Sequence, residues 1–271
     1  MRPTPEQLAL VNRTERVSFE IADFLAQHRL TPASEAYLSL VLGAIIFSCG
    51  SRRLDVRGIE HFAGLGKKDR VIIVANHRSF FDFFSITAIL YWRTNLTKRI
   101  FFPTRSTFFY DHPAGPAVNL AMSAMRMFPP ILRDKKKTSF NDFAIERLLE
   151  ELKIPGTIVG VHPEGTRNKN PDPYDLLPAQ IGVGKLALNV DPGVKIFPAF
   201  VLGMGNSLPG ELKMNVLEPT QHPIDLFFGA PIDFSDLRQK GGRLATYKKA
   251  ADRCMDHIRV LAERQRRESG A

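Results

Sequence analysis

A histidine and an aspartate stand five positions apart in Val74-Ala-Asn-His-Arg-Ser-Phe-Phe-Asp82, at the end of an apolar run. A carboxylate hydrogen-bonded to one imidazole nitrogen fixes the tautomer and stabilises the imidazolium that forms when the other nitrogen accepts a proton. Such a pair can activate a hydroxyl, with His77 as general base and Asp82 behind it. Within one helix, residues five apart lie about 140° around the axis from each other, so the helix must begin after His77 if the two are to meet. Ser79 suits its N-cap and Asp82 its third position, a capping-box spacing that folds Asp82 back towards the imidazole. The bland alternative is a carboxylate that only caps a helix beside an unrelated loop histidine, since this spacing also arises by chance. No nearby serine or cysteine has the setting of a nucleophile elbow, which favours direct transfer over a covalent enzyme intermediate.

The second chemically suggestive segment is His162-Pro-Glu-Gly-Thr-Arg167, which follows the apolar run Thr157-Ile-Val-Gly-Val161. Pro163 and Gly165 force a turn at a strand end, where ligand sites of α/β sheets collect. Glycine permits close approach of the backbone to a ligand, and Arg167 offers a rigid fork suited to phosphate. Glu164 is placed to orient a substrate hydroxyl. The alternative is an ordinary polar loop with a solvated arginine.

The elements that must position these residues are legible in outline. From residue 54 onward, short β-branched runs alternate with helical patterns, which predicts a mixed, largely parallel α/β sheet flanked by helices. Strands are expected at Val71–Ala75, Lys98–Thr104, Thr157–Val161 and Val194–Leu202. Helices are expected at Phe80–Tyr91, Thr138–Lys153, Gln180–Val190 and Leu244–Arg264. Residues 1–53 read as an N-terminal helical hairpin and 54–271 as the α/β domain. The first helix of the hairpin runs from Val17 to Leu30 and breaks at Thr31-Pro-Ala-Ser34. The apolar stretch Tyr37–Cys49 is shorter than the roughly 20 residues that span a bilayer, so it either dips into one leaflet or forms a buried core helix. Arg52 and Arg53 favour the leaflet, because cations suit an anionic headgroup surface.

Composition narrows the partners. With 271 residues, 44% of them hydrophobic, the chain can bury an ample core. Thirty-seven lysines and arginines against 28 acidic residues give a formal charge of +9, which suits a nucleic acid, an anionic membrane or a phosphorylated substrate. No zinc-ligand spacing, basic zipper or ribonucleoprotein signature supports nucleic acid. Cys49 and Cys254 have no CxxC neighbour, so neither a disulfide framework nor a thiol metal site is indicated and a reducing cytosolic exposure is expected. The charged first thirty residues are unlike a secretory signal. The paired aromatics Phe80-Phe81, Phe83-Phe84, Tyr91-Trp92 and Phe108-Phe109-Tyr110 suit an acyl groove, a membrane face or the core. Arg93, Lys98, Arg99 and Arg105 among them suit anionic lipid.

Together, Asn76-His77-Arg-Ser-Phe-Phe-Asp82 and Pro163-Glu-Gly-Thr-Arg167 resemble the first and third sequence blocks of the glycerolipid (lysophospholipid) acyltransferase family, of the 1-acylglycerol-3-phosphate acyltransferase kind. Met127-Phe-Pro-Pro-Ile-Leu-Arg133 resembles its second block, Val194-Lys-Ile-Phe-Pro-Ala199 its fourth, and Phe228-Gly-Ala-Pro-Ile232 a later segment. The resemblance spans about residues 54 to 235. It implies an O-acyltransferase that moves a fatty acyl group from acyl-coenzyme A or acyl-carrier protein to the hydroxyl of 1-acylglycerol-3-phosphate. His77 and Asp82 would be catalytic, and Glu164, Gly165, Thr166 and Arg167 would hold the glycerol phosphate. Arg133 would be a second phosphate contact, and Arg105 would stand where the family often has lysine. Neither metal nor cofactor is implied beyond the acyl donor, and the expected setting is the cytoplasmic face of a phospholipid membrane. Glycerol-3-phosphate or another lysophospholipid as acceptor, or a non-catalytic lipid-binding module, are the alternatives.

Overall fold

The computed structural model describes residues 2–26, 30–97, 99–105, 109–132 and 134–270. Helices α1 (Pro5–Ala9), α2 (Arg13–Leu25) and α3 (Thr31–Gly50) precede the first strand, β1 (Leu54–Arg57). Then follow β2 (Val71–Ala75), α4 (Asp82–Arg93), β3 (Ile100–Phe101), β4 (Thr104–Arg105), α5 (Gly115–Ser123), β5 (Pro130–Ile131), α6 (Thr138–Glu151) and β6 (Ile158–Val161). The chain closes with α7 (Ile181–Asn189), β7 (Lys195–Leu202), α8 (Leu208–Leu217), β8 (Ile224–Phe228), α9 (Ser235–Arg238) and α10 (Leu244–Ser269).

The main sheet has the order β1-β8-β7-β2-β6-β3 and is parallel except between β7 and β8. Strand β2 lies between β7 and β6 with every residue buried, which is why it reads as an unbroken apolar run rather than an alternation. Its side chains alternate between two cores: Ile72 and Val74 pack with α6, α7 and α10 residues, Val71, Ile73 and Ala75 with α3 and α4. Gly160 of β6 lets α4 settle on the sheet, since a Cβ there would lie 2.4 Å from the Phe83 ring. Because β2, β6 and β7 are parallel, their carboxyl ends share one edge, and the segments after them gather there.

Sequence expectations hold for the long buried elements and shift where a distant contact intervenes. The single strand expected over Lys98–Thr104 divides into β3, on the main sheet, and β4, which pairs with β5. Lys98 lies outside the described residues. Helix α2 begins earlier than expected because Asn12 and Glu15 form a capping box, each side chain accepting the other's amide at 2.8 Å. The two arms of the N-terminal pair part: Phe19 and Ala22 of α2 join one core, Leu38, Leu42 and Ile46 of α3 the other. Pro32 does not merely interrupt the chain. It starts α3, a 20-residue helix that is long and apolar enough to cross a membrane by length and composition. One face of α3 is core, and the opposite face leaves Leu40 71% and Phe47 66% exposed.

Two of the cations assigned to a lipid surface are interior. Arg53 is only 3% exposed, and its Nη1 donates to Glu211 Oε2 at 2.7 Å while Nε donates to the His222 carbonyl at 2.6 Å. Arg99 is buried in an ion pair with Glu151. Apolar neighbours in sequence made both look interfacial, but each is paired with a carboxylate more than fifty residues away. Glu211→Ala leaves the Arg53 charge buried and uncompensated, so the thermal midpoint should fall by about 10 °C. A fall of a degree or less in calorimetry would show that the pair is not structural.

Candidate active site

The base turn follows β2. His77 Nδ1 lies 3.1 Å from Asp82 Oδ2, and the same oxygen accepts the Arg78 amide at 2.7 Å and the Ser79 amide at 2.8 Å. With a carboxylate at Nδ1, the proton sits on that nitrogen and Nε2 keeps its lone pair. The expected capping box does not form. Asp82 is the first residue of α4, and the Ser79 hydroxyl donates instead to the Gly205 carbonyl at 2.9 Å. Asp82 still reaches the imidazole because its carboxylate folds back over the amides of the turn, in the positive field of the helix terminus.

The second turn follows β6 and is laced to the first through the backbone of His77. Glu164 Oε2 accepts the His77 amide at 2.6 Å, and the Asn168 amide donates to the His77 carbonyl at 2.7 Å. The other oxygen, Glu164 Oε1, accepts the Leu177 amide at 2.9 Å. Glu164 is 1% exposed with both oxygens engaged, so it braces the base turn and is not free to orient a substrate hydroxyl. Gly165 has φ +64, and a Cβ there would lie 2.7 Å from Gln180 Cγ, so conformation and space both select glycine. Its amide donates to the His162 carbonyl at 3.0 Å, so that donor is engaged within the turn.

These turns wall a cleft of about 660 Å³, a size typical of small-ligand sites. His77, Arg105, Gly165, Thr166 and Arg167 all line it, and the imidazole and the guanidinium open into one space. Asp82 and Glu164 stand behind the lining. Arg133 lies outside the described residues. Arg105 faces the cleft from β4, its Nε donating to the Gly165 carbonyl at 2.6 Å. Phe80, Phe81, Phe83, Phe84 and Phe109 supply an aromatic wall to the cleft, and Phe81, Phe83 and Phe84 among them are also buried in the core behind it. Among the residues to which sequence reasoning gave no role, Lys169, Asn206 and His162 also line the cleft. The His162 ring stacks on His77 at 3.8 Å between centroids and 7° between planes. Its Nδ1 donates to the Ala75 carbonyl at 3.0 Å. Only its place in the Pro-Glu-Gly turn hinted at a role.

Burial lowers the His77 pKa to about 3, helped by the charges of Arg167 and Arg105, so the ring is a neutral acceptor. A fifth of the side chain, 20%, remains exposed to a reactant. Burial pushes the Asp82 carboxyl up, against the pull of His162 and of the Ser79 and Arg78 amides. His77, Asp82 and His162 each offer a metal-ligand atom within 4.8 Å of the others. Near-parallel rings, however, aim their in-plane lone pairs alongside one another and not at a common point, which is a poor fit to a tetrahedral metal.

Residues 53–202 match the family model described as Acyltransferase. No curated protein matches the sequence. Among solved structures, the 1-acyl-sn-glycerophosphate (LPA) acyltransferase PlsC from Thermotoga maritima is similar over 96% of this chain and 86% of that one, at 17% identity and a TM-score of 0.46.

The electrostatics can be measured directly. By NMR, the His77 imidazole should stay neutral well below the ordinary histidine midpoint, and Arg167→Ala should move its midpoint up, because a positive charge that opposes protonation is gone. A midpoint at or above the ordinary histidine value in the unaltered chain would contradict the assignment.

Proposed function

The chain belongs to the acyltransferase family, and from that premise we propose that it acylates the free hydroxyl of a lysophospholipid. The donor is the thioester of acyl-coenzyme A or acyl-carrier protein. The acceptor is 1-acylglycerol-3-phosphate, and the product is phosphatidic acid. One observation carries this reading: a single cleft joins a neutral, carboxylate-backed imidazole to the cations Arg105 and Arg167 and to an aromatic lining. An amphiphile with an anionic headgroup and an acyl chain fits that lining.

In the proposed reaction, the acceptor's phosphate docks at Arg105 and Arg167. Its hydroxyl then faces Nε2 of His77, and this positioning supplies much of the rate. The bound phosphate also offsets the two guanidinium charges that weaken His77, so the base strengthens as the acceptor arrives. As the hydroxyl proton passes to Nε2, the oxygen attacks the thioester carbonyl. Collapse breaks the carbon–sulfur bond, and the leaving thiolate takes the proton from the imidazolium. Asp82 holds the ring and balances its transient charge. None of these steps calls on a metal or a cofactor.

We further infer a membrane surface at the cytoplasmic face as the working place. Support comes from apolar side chains exposed on three helices: Ile21 and Phe24 of α2, Leu40 and Phe47 of α3, Val216 and Leu217 of α8.

Incubation with acyl-coenzyme A, acyl-carrier thioester and a panel of lysophospholipids, read by lipid mass spectrometry, tests the proposal. Phosphatidic acid should appear, and His77→Ala should reduce its rate by about a hundredfold or more. Near-normal turnover in that variant would reject His77 as the base, and no acylated product from any acceptor would reject the function.

A further inference from the structure

Asn206 lies in the segment between β7 and α8, belongs to no motif, and reaches the cleft from a third carboxyl-end loop. Its Oδ1 accepts the Phe80 amide at 2.8 Å and Arg167 Nη1 at 3.2 Å. A backbone N–H can only donate, which fixes the oxygen of the side-chain amide on this side. Phe80 sits inside the turn that runs from His77 to Asp82, so one oxygen ties the base turn to the arginine of the opposite turn.

Resting on the acyltransfer reading, we propose that Asn206 is a positioning residue that sets the separation between the phosphate anchor and the general base. Arg167 is exposed and ends a long, freely rotating side chain, so without a restraint its guanidinium samples many positions. Asn206 restrains it with a neutral acceptor. A carboxylate in the same place would neutralise the guanidinium and compete with the incoming phosphate. The loop that carries Asn206 is held without its side chain: the Gly205 amide donates to Glu211 Oε1 at 2.9 Å, and the Gly205 carbonyl accepts the Ser79 hydroxyl at 2.9 Å. The buried Arg53–Glu211 pair then anchors Glu211. Removing the Asn206 side chain therefore frees Arg167 while leaving the loop in place.

Steady-state kinetics separates the outcomes: lysophosphatidic acid and the phosphate-free monoacylglycerol of the same acyl chain are each varied at fixed acyl-coenzyme A, and acyl-coenzyme A is varied at fixed lysophosphatidic acid. Asn206→Ala should raise KM for lysophosphatidic acid about tenfold, with a smaller fall in kcat and no change in KM for the donor. The preference over monoacylglycerol should shrink by a similar factor. Asn206→Asp, nearly the same size, should raise that KM at least as far, because the new carboxylate occupies Arg167. The inference is overturned if either variant keeps the wild-type preference for phosphate. It is overturned equally if donor and acceptor KM rise together, the mark of a purely structural role. A wild-type chain with no preference for the phosphate-bearing acceptor would instead refute the acceptor reading on which the inference rests.

Discussion

The His77 backbone is gripped from both sides by the turn that follows β6. Its amide donates to the buried carboxylate of Glu164 at 2.6 Å, and its carbonyl accepts the Asn168 amide at 2.7 Å. A third bond, from Arg78 Nη1 to the Asn170 carbonyl at 2.7 Å, repeats the connection one residue on. Two loops from neighbouring strands therefore behave as one rigid body, and the imidazole keeps a fixed bearing towards Arg167. Charged acceptors make the stronger hydrogen bonds, and a buried carboxylate with both oxygens satisfied has no reason to move. Burial raises the Glu164 pKa, while the amides of Leu177 and His77 pull it back towards the ionised form that they need.

Rigidity at the base turn lets electrostatics do the remaining work. Asp82 lies inside with three donors on one oxygen, so it orients the ring instead of exchanging with solvent. His162 covers one face of the ring, stacked at 3.8 Å, and Phe83 packs against His162 in turn at 4.3 Å. The imidazole is thereby confined to one plane, with its free nitrogen directed to a cleft that carries positive charge at Arg105 and Arg167. A positive cleft attracts an anionic acceptor and also suppresses protonation of the base, two consequences of the same guanidinium groups.

What the sequence disclosed depended on how local each signal was. Strands β2, β6 and β7 were legible because burial on both faces leaves long apolar runs, interrupted only by the exposed Lys195 at the start of β7. The His77–Asp82 contact was legible because five positions and a turn suffice to make it. The start of α4 was misjudged, since the Ser79 hydroxyl is taken by a carbonyl 126 residues away, which no local pattern announces. Glu164 looked like a ligand and is a brace, because its partners are backbone amides, invisible in sequence. Arg53 looked like a headgroup cation and is half of a buried pair whose other half is 158 residues distant. Asn206 and His162 gave no signal beyond their neighbours, as expected of residues whose role comes from where the sheet edge gathers them.

Amide hydrogen exchange is the most direct test of the brace from Glu164 to the base turn. The amides of His77 and Leu177 should exchange as slowly as those of the central strand, and Glu164→Ala should release both together. Exchange of these two amides in the unaltered chain at the rate of exposed surface amides would contradict the brace, and with it the fixed bearing of the imidazole.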